Sequence, residues 1–328
     1  MSAADVGAAA IDGAPSVILL TGAAGQLGHA LRHTLAPIGA VHAVTRAECD
    51  LTDEGALRAL VRRVRPALIV NPAAYNAVDR AESEPDLAFA VNARVPAILG
   101  EEGAAFGAPV IHFSTDFVFD GTKGAPYDEA DAPNPLGVYA ASKLAGERAL
   151  AAATEAHLVL RTSWVVGAHG ENFARAVLRL AAAHEEVRMV ADQTSIPTPV
   201  PPLAQATTRL AARLLEASGA IARGACAGVA APLPAGVVPR GVYHLAAAGA
   251  ATRYAYAQFV LAEARAAGVA LRLTPARMRP VTAAEFAAPA RRPADSRLAC
   301  HRAARELGVA LPDWRLGVRD VLRQILSV

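Results

Sequence analysis

An α/β chain with a doubly wound parallel sheet and a smaller C-terminal α/β substrate-binding lobe is what this sequence predicts. Two observations carry that expectation. In the first half, short apolar runs alternate with amphipathic stretches. A glycine-spaced turn follows directly on the first of those runs and opens the first helical stretch. The runs at 16–21, 40–44, 67–71 and 109–113 are short and predominantly apolar, as strands buried on both faces are. Between them, 26–35, 54–64 and 85 to about 106 carry helical periodicity, with Asp53 placed to cap the second stretch. A strand at 158–161 and helices over 139–153 and 172–184 extend the alternation, which implies right-handed crossovers.

The composition narrows the function classes. At 328 residues the chain fits one large domain or two coupled ones, and 53% apolar residues suffice for a sizeable core. A net charge of +2 argues against a nucleic-acid partner or an anionic membrane surface. The 3 cysteines (Cys49, Cys226, Cys300) form no CxxC pair, which suits a reducing, cytoplasmic compartment. The 9 histidines show no ligand spacing, so no metal site is expected. No apolar run approaches the roughly 20 residues that span a bilayer. Residues 1–15, rich in Ala and Gly and without a basic residue, read as a disordered leader. Beyond about residue 200 the regularity declines. A loop at 219–239 precedes a strand at 242–245, and 273–298, rich in Pro and Arg, reads as irregular. The expected division is a dinucleotide-binding domain over 16–166 and a lobe over 167–328. Segments at about 187–217 and 240–246 are expected to return to the first domain.

The chemistry is concentrated in three places. In Thr21-Gly22-Ala23-Ala24-Gly25-Gln26-Leu27-Gly28, Gly22 permits a tight turn and Gly25 lets backbone approach a pyrophosphate. Gly28 allows close helix–strand packing, and the helix begun by Gln26 and Leu27 offers N–H donors to phosphates. This is a Rossmann-type signature with GxxGxxG spacing. After the second strand, where NADH-preferring folds usually carry an acid, stands Arg46. Its guanidinium could pair with the 2′-phosphate of NADPH, or it could be a solvated surface charge. Finally, Thr115 follows the fourth strand, and Tyr139 and Lys143 are spaced to share one helix face. A phenol beside an ammonium and a positive nicotinamide would have its pKa lowered, and could protonate a carbonyl oxygen as hydride reaches the carbon.

With those residues in place, the chain resembles the dTDP-4-dehydrorhamnose reductase family of extended short-chain reductases. The likeness runs through TGAAGQLG (21–28), NPAAYNAVDRAESEP (71–85), STDFVFDG (114–121), YAASKLAGE (139–147), RTSW (161–164), ARRPADSRL (290–298) and LPDW (311–314). It implies NAD(P)H-dependent reduction of dTDP-4-dehydro-L-rhamnose to dTDP-L-rhamnose. Carried over by position, Thr115 and Asp116 would meet the sugar, Tyr139 would give the proton, and Lys143 would hold the ribose hydroxyls. Trp164 would pack on the nucleotide sugar, unless it is a core residue. Asp50 and Leu51 would border the adenine, and Ala74, Tyr75 and Asn76 the coenzyme, although Asn76 could instead cap the next turn. Arg291 and Arg292 suit a diphosphate or a structural salt bridge equally.

Two departures from the family pattern stand out. Ser195 replaces a glycine, so that loop could take another conformation. Ala30 and Pro201 stand where some members hold magnesium through glutamates, which predicts a monomer or weak homodimer without structural magnesium. Other readings are a reductase of another dTDP-4-keto-6-deoxy sugar, an epimerase or dehydratase, and a non-catalytic regulatory relative. The last need not keep Thr115, Tyr139 and Lys143 together.

Overall fold

In the computed structural model the described residues are 16–222, 224 and 237–327. The expected leader and most of the 219–239 loop lie outside them. The first half runs β1 (Val17–Leu20), α1 (Gln26–Thr34), β2 (Ala40–Ala43), α2 (Glu54–Val64), β3 (Leu68–Asn71), α3 (Val78–Ala81), α4 (Pro85–Phe89), α5 (Val95–Phe106), β4 (Val110–Thr115), α6 (Val138–Ala153) and β5 (His157–Thr162). The second continues with β6 (Val165–Val166), α7 (Phe173–Ala183), β7 (Val187–Val190), β8 (Thr194–Ser195), β9 (Thr198–Pro199), α8 (Val200–Ala217), β10 (Gly241–His244), β11 (Ala251–Thr252) and α9 (Arg253–Ala266). It closes with β12 (Met278–Val281), α10 (Ala283–Phe286), α11 (His301–Leu307) and α12 (Trp314–Leu326).

Six strands form one parallel sheet in the order β2–β1–β3–β4–β5–β10. The strands β3 and β4 are buried along their whole length, which is why their sequences lack polar alternation. On one face Ile18, Leu20, Leu68 and Val70 pack with Leu27 and Leu31 of α1 and Leu203 and Leu210 of α8. On the other, Leu19, Ile69 and Val110 meet Leu57 and Val61 of α2 and Ile98 and Leu99 of α5. Asp53 caps α2 by accepting from the Ala56 N–H, as its position in the sequence indicates.

The second half departs from the expected decline in regularity. The 18-residue α8 begins directly after Pro199, with Pro201 and Pro202 in its first turn, where a missing N–H costs nothing. Within 273–298, β12 and the capping box of Thr282 and Glu285 on α10 are regular. Both α8, packed along α1, and β10, paired with β5, belong structurally to the large sheet unit. The strand β7 does not: it pairs in parallel with β12 in the smaller lobe, so the returning segment begins later than 187.

One contact fixes the helix that carries Tyr139 and Lys143. Between α4 and α5 the chain forms a π-helical turn, Ala90–Arg94, and α6 packs directly on it. A Cβ at Gly146 would sit 2.0 Å from the carbonyl oxygen of Asn92, so only glycine allows this approach. At the next residue, buried Glu147 holds buried Arg161 of β5 at 2.7 Å, tying α6 to the sheet. Gly146→Ala is therefore expected to cost about 1–3 kcal/mol through overpacking. It should lower Tm by several degrees in a thermal melt, and an unchanged Tm would show that α6 is free to shift.

Candidate active site

The strands β2 and β3 lie on opposite sides of β1, so the loops that follow β1 and β3 part and open a crevice at the carboxyl ends of the strands. The resulting cleft encloses about 370 Å³. In the turn that follows β1, Gly22 has φ +56°, and a Cβ there would lie 2.8 Å from the Ala73 backbone. A Cβ at Gly28 would strike the Gly22 carbonyl at 2.1 Å. The first glycine serves the turn and the last the packing, as the spacing indicates. Gly25 is the N-cap of α1, with no side chain capping it and no acid in the first turn. The leading N–H groups are thus left for an anion, and the cradle fits a coenzyme pyrophosphate. Gly25, Gln26 and Leu27 line the cleft, while the Gln26 side chain accepts from the Gly167 N–H and from Asn172.

The other sequence-selected positions divide. Ala74, Asn76, Thr115, Asp116, Tyr139, Lys143 and Trp164 line the cleft; Gly22, Arg46, Asp50, Leu51 and Tyr75 do not. Asn76 does not cap α3, whose N-cap is Ala77. Tyr75 turns its hydroxyl to Glu84, and its backbone N–H and carbonyl are both held by Asn92, at 2.8 and 3.1 Å. Asn92 also donates to Ser142, one residue before Lys143, and so joins the loop after β3 to α6. Arg46 and Asp50 lie exposed in the turn beyond β2. Hydrogen bonds from Thr52 hold the Asp50 carboxyl below the usual range.

Lys143 is only 2% exposed. Its Nζ donates to the Phe113 carbonyl at 2.6 Å and is hydrogen-bonded to His112 Nε2 at 3.2 Å. Behind it, His112 Nδ1 meets Asn71 Nδ2 at 3.1 Å, and the Thr21 hydroxyl donates to Asn71 Oδ1 at 2.5 Å. This buried polar chain crosses the sheet from the glycine turn to the lysine. Burial, with the Lys143 charge added, keeps His112 well below its ordinary pKa and therefore neutral. Burial also pulls Lys143 down to about 8 and pushes Tyr139 up to about 12. The expectation of a phenol lowered by its lysine is thus reversed in this state. Desolvation outweighs the Thr115 hydrogen bond, the one influence that lowers the phenol's pKa here.

Asp116 is buried at the end of β4. Its Oδ2 accepts from Ser195 at 2.7 Å and Ser296 at 2.5 Å, and its Oδ1 from Thr115 at 3.1 Å. Burial raises its carboxyl to about 6 against the pull of those hydroxyls. Ser195 lies in extended backbone within β8, paired with Ala251, and its side chain adds a donor to Asp116. Trp164 adopts φ +37° and stacks under the Arg253 guanidinium, 4.7 Å from its ring. Arg292 lines the cleft but is tied to Asp79 at 2.8 Å and to the Ala290 carbonyl at 3.0 Å, while Arg291 is exposed. Sequence reasoning missed Arg253, Ser296, His112 and Asn71 as site residues. For the last two a signal existed: each is a polar residue inside an otherwise apolar buried strand.

Comparisons with known proteins agree with this geometry. A family model described as the RmlD substrate binding domain matches residues 16–327. The dTDP-4-dehydrorhamnose reductase of Escherichia coli (strain K12) is 39% identical over 315 residues, covering 94% of this chain and 98% of its own. That of Sinorhizobium fredii is 38% identical over 311 residues, covering 94% and 97%. A crystal structure of the Bacillus anthracis dTDP-4-dehydrorhamnose reductase in complex with NADP superposes with a TM-score of 0.79 at 29% identity, covering 95% of this chain and 99% of its own. Fold and cleft define an extended short-chain dehydrogenase/reductase built to hold a nicotinamide coenzyme. Within that class, the chain belongs to the dTDP-4-dehydrorhamnose reductase family.

Hydroxyl donors favour an ionised carboxyl, so removing one raises its pKa. Ser195→Ala should therefore move the Asp116 midpoint upward from about 6. Carboxyl NMR titration reads this directly, and an unmoved midpoint would show that the serine contributes nothing.

Proposed function

We propose that this protein reduces dTDP-4-dehydro-β-L-rhamnose to dTDP-β-L-rhamnose, with Tyr139 as proton donor. The observation that carries the reading is the meeting of Thr115, Tyr139 and Lys143 in one cleft with the uncapped start of α1. A bound nicotinamide coenzyme supplies hydride to C4 of the sugar. Tyr139, held as a phenol by burial, carries the proton for the carbonyl oxygen. Thr115 stands beside the phenol, and its hydroxyl donates to Asp116. Lys143 stands one helical turn from Tyr139, fixed by Phe113 and His112, where its charge stabilises the phenolate left behind.

NADPH is the preferred coenzyme in this reading. Arg46 is exposed and hydrogen-bonds no described acid; its charge acts on nearby Asp50, and its guanidinium can take a 2′-phosphate. The protein acts as a cytoplasmic monomer or weak homodimer without structural magnesium, since Ala30 and Pro201 offer no ligand oxygen.

The deciding assay supplies dTDP-4-dehydrorhamnose with either reduced coenzyme and follows absorbance loss and the configuration of the product at C4. Wild-type protein should yield the L-rhamno product. Tyr139→Phe should lose about 10²–10⁴-fold in kcat, with NADPH affinity near wild type. Full turnover in that variant would remove Tyr139 from the chemistry. Separately, Arg46→Ala should weaken NADPH by about 10–100-fold, the range of a charged hydrogen bond, and NADH hardly at all. Equal losses in a fluorescence titration would make Arg46 a surface charge only.

A further inference from the structure

Three cationic side chains line the cleft, and they differ in what their nitrogens already hold. Lys143 is spent on Phe113 and His112, and Arg292 on Asp79 and Ala290. Arg253 is not spent. Its Nε donates to the neutral Gln193 Oε1 at 3.0 Å, and its terminal nitrogens make no hydrogen bond or ion pair with any described residue. The side chain is nonetheless kept inside. Its guanidinium lies 4.7 Å above the Trp164 ring and 5.6 Å from that of Phe173.

A guanidinium partly buried in a cleft loses some of its hydration, and here no carboxylate among the described residues pairs with it directly in return. Burial and the nearby Arg292 charge pull its pKa down to about 10, against the opposing charges of Asp116 and Asp79. An exposed position would relieve the cost, yet stacking and Gln193 hold the fork in place. Such an arrangement marks a site prepared for an anion that arrives from outside.

We propose that Arg253 anchors the diphosphate of the nucleotide-sugar substrate, its two free terminal nitrogens receiving phosphate oxygens. The planar fork matches two phosphate oxygens at once, which a point charge cannot. The coenzyme's own pyrophosphate has the start of α1, in the other lobe, to meet it. The ketone and hydroxyls of a sugar carry no charge that calls for a guanidinium. Arg292 adds positive field but no free fork, so it is Arg253 that makes the bond. The assignment rests on the nucleotide-sugar reading given above and deepens it.

The test is calorimetric titration of wild type, Arg253→Gln and Arg253→Lys, each saturated with NADP⁺, using dTDP, UDP and thymidine as probes. The expected result is a dTDP Kd raised about 10–100-fold in Arg253→Gln, in the range of lost charged hydrogen bonds. Arg253→Lys should fall between, because it keeps charge without the fork. Thymidine affinity and NADP⁺ affinity should stay at wild-type values, the latter also reporting an intact cleft. Unchanged dTDP affinity in Arg253→Gln overturns the assignment, as does an equal loss for thymidine or a loss centred on NADP⁺. Wild-type binding of UDP but not dTDP, with the same dependence on Arg253, would keep the diphosphate site and remove the thymidine-sugar reading. No binding of either nucleotide by wild type would end both.

Discussion

The burial of Lys143 is the constraint around which the rest of this molecule is arranged. A cationic nitrogen 2% exposed beneath a parallel sheet must find its partners inside the protein. It finds them in the Phe113 carbonyl and in His112; the histidine in turn is held by Asn71, and Asn71 by Thr21. These groups come from β1, β3 and β4 or the residue that follows one of them, so the sheet register itself sets the seat of the lysine. A neutral His112 fits this role, because a second charge at the same depth would repel the first. Helix α6 must then approach closely enough to reach them, which is what Gly146 against the Asn92 carbonyl allows. Packing and chemistry are here the same requirement.

A second junction lies at Asp116. Thr115 and Asp116 end the central strand, yet two of the three hydroxyls on the carboxyl come from elsewhere: Ser195 from β8 and Ser296 from the segment before α11. The backbone repeats the link, since the Thr194 N–H donates to Ala294 and the Ser296 N–H to Thr194. The smaller lobe therefore supplies part of the hydrogen bonding at the candidate site and is not merely a cover over it. The Thr115 hydroxyl donates to Asp116 and accepts from the Phe117 N–H, beside the Tyr139 phenol. The direction of one hydroxyl next to the reacting oxygen is thus set by residues far away in sequence.

What could be read from the sequence was whatever is encoded locally. Strand–helix alternation, the Asp53 cap, the glycine turn and the four-residue spacing of Tyr139 and Lys143 each depend on neighbours in the chain. Helix α8 was obscured because alanine-rich composition hides amphipathic contrast, although its early prolines signalled a start. Arg253 could not be recognised beforehand. At the first position of a helix, with no motif around it, it becomes significant only when folding lays it over Trp164 and leaves its fork without an acid. Arg46, Asp50 and Leu51 show the converse: they follow a recognisable strand but stand apart from the cleft lining.

The raised phenol is where local reasoning and tertiary structure disagree most, and the disagreement is instructive in sign. A neighbouring lysine suggests a lowered pKa, but burial moves Tyr139 up to about 12 and Lys143 down to about 8, both toward their neutral forms. For reduction this is no obstacle. As hydride reaches a carbonyl carbon, the oxygen becomes an alkoxide, whose basicity is nearer to that of hydroxide, with water's pKa near 15.7, than to that of a phenolate. In the proposed reaction, proton transfer from Tyr139 would be downhill even from about 12, and a phenol kept protonated at neutral pH would be ready to give it. A strongly lowered pKa would instead favour the opposite direction, in which a phenolate must take a proton from an alcohol. Desolvation of the tyrosine thus favours the acid role proposed for it, in which the buried lysine would stabilise the phenolate left after the proton has gone.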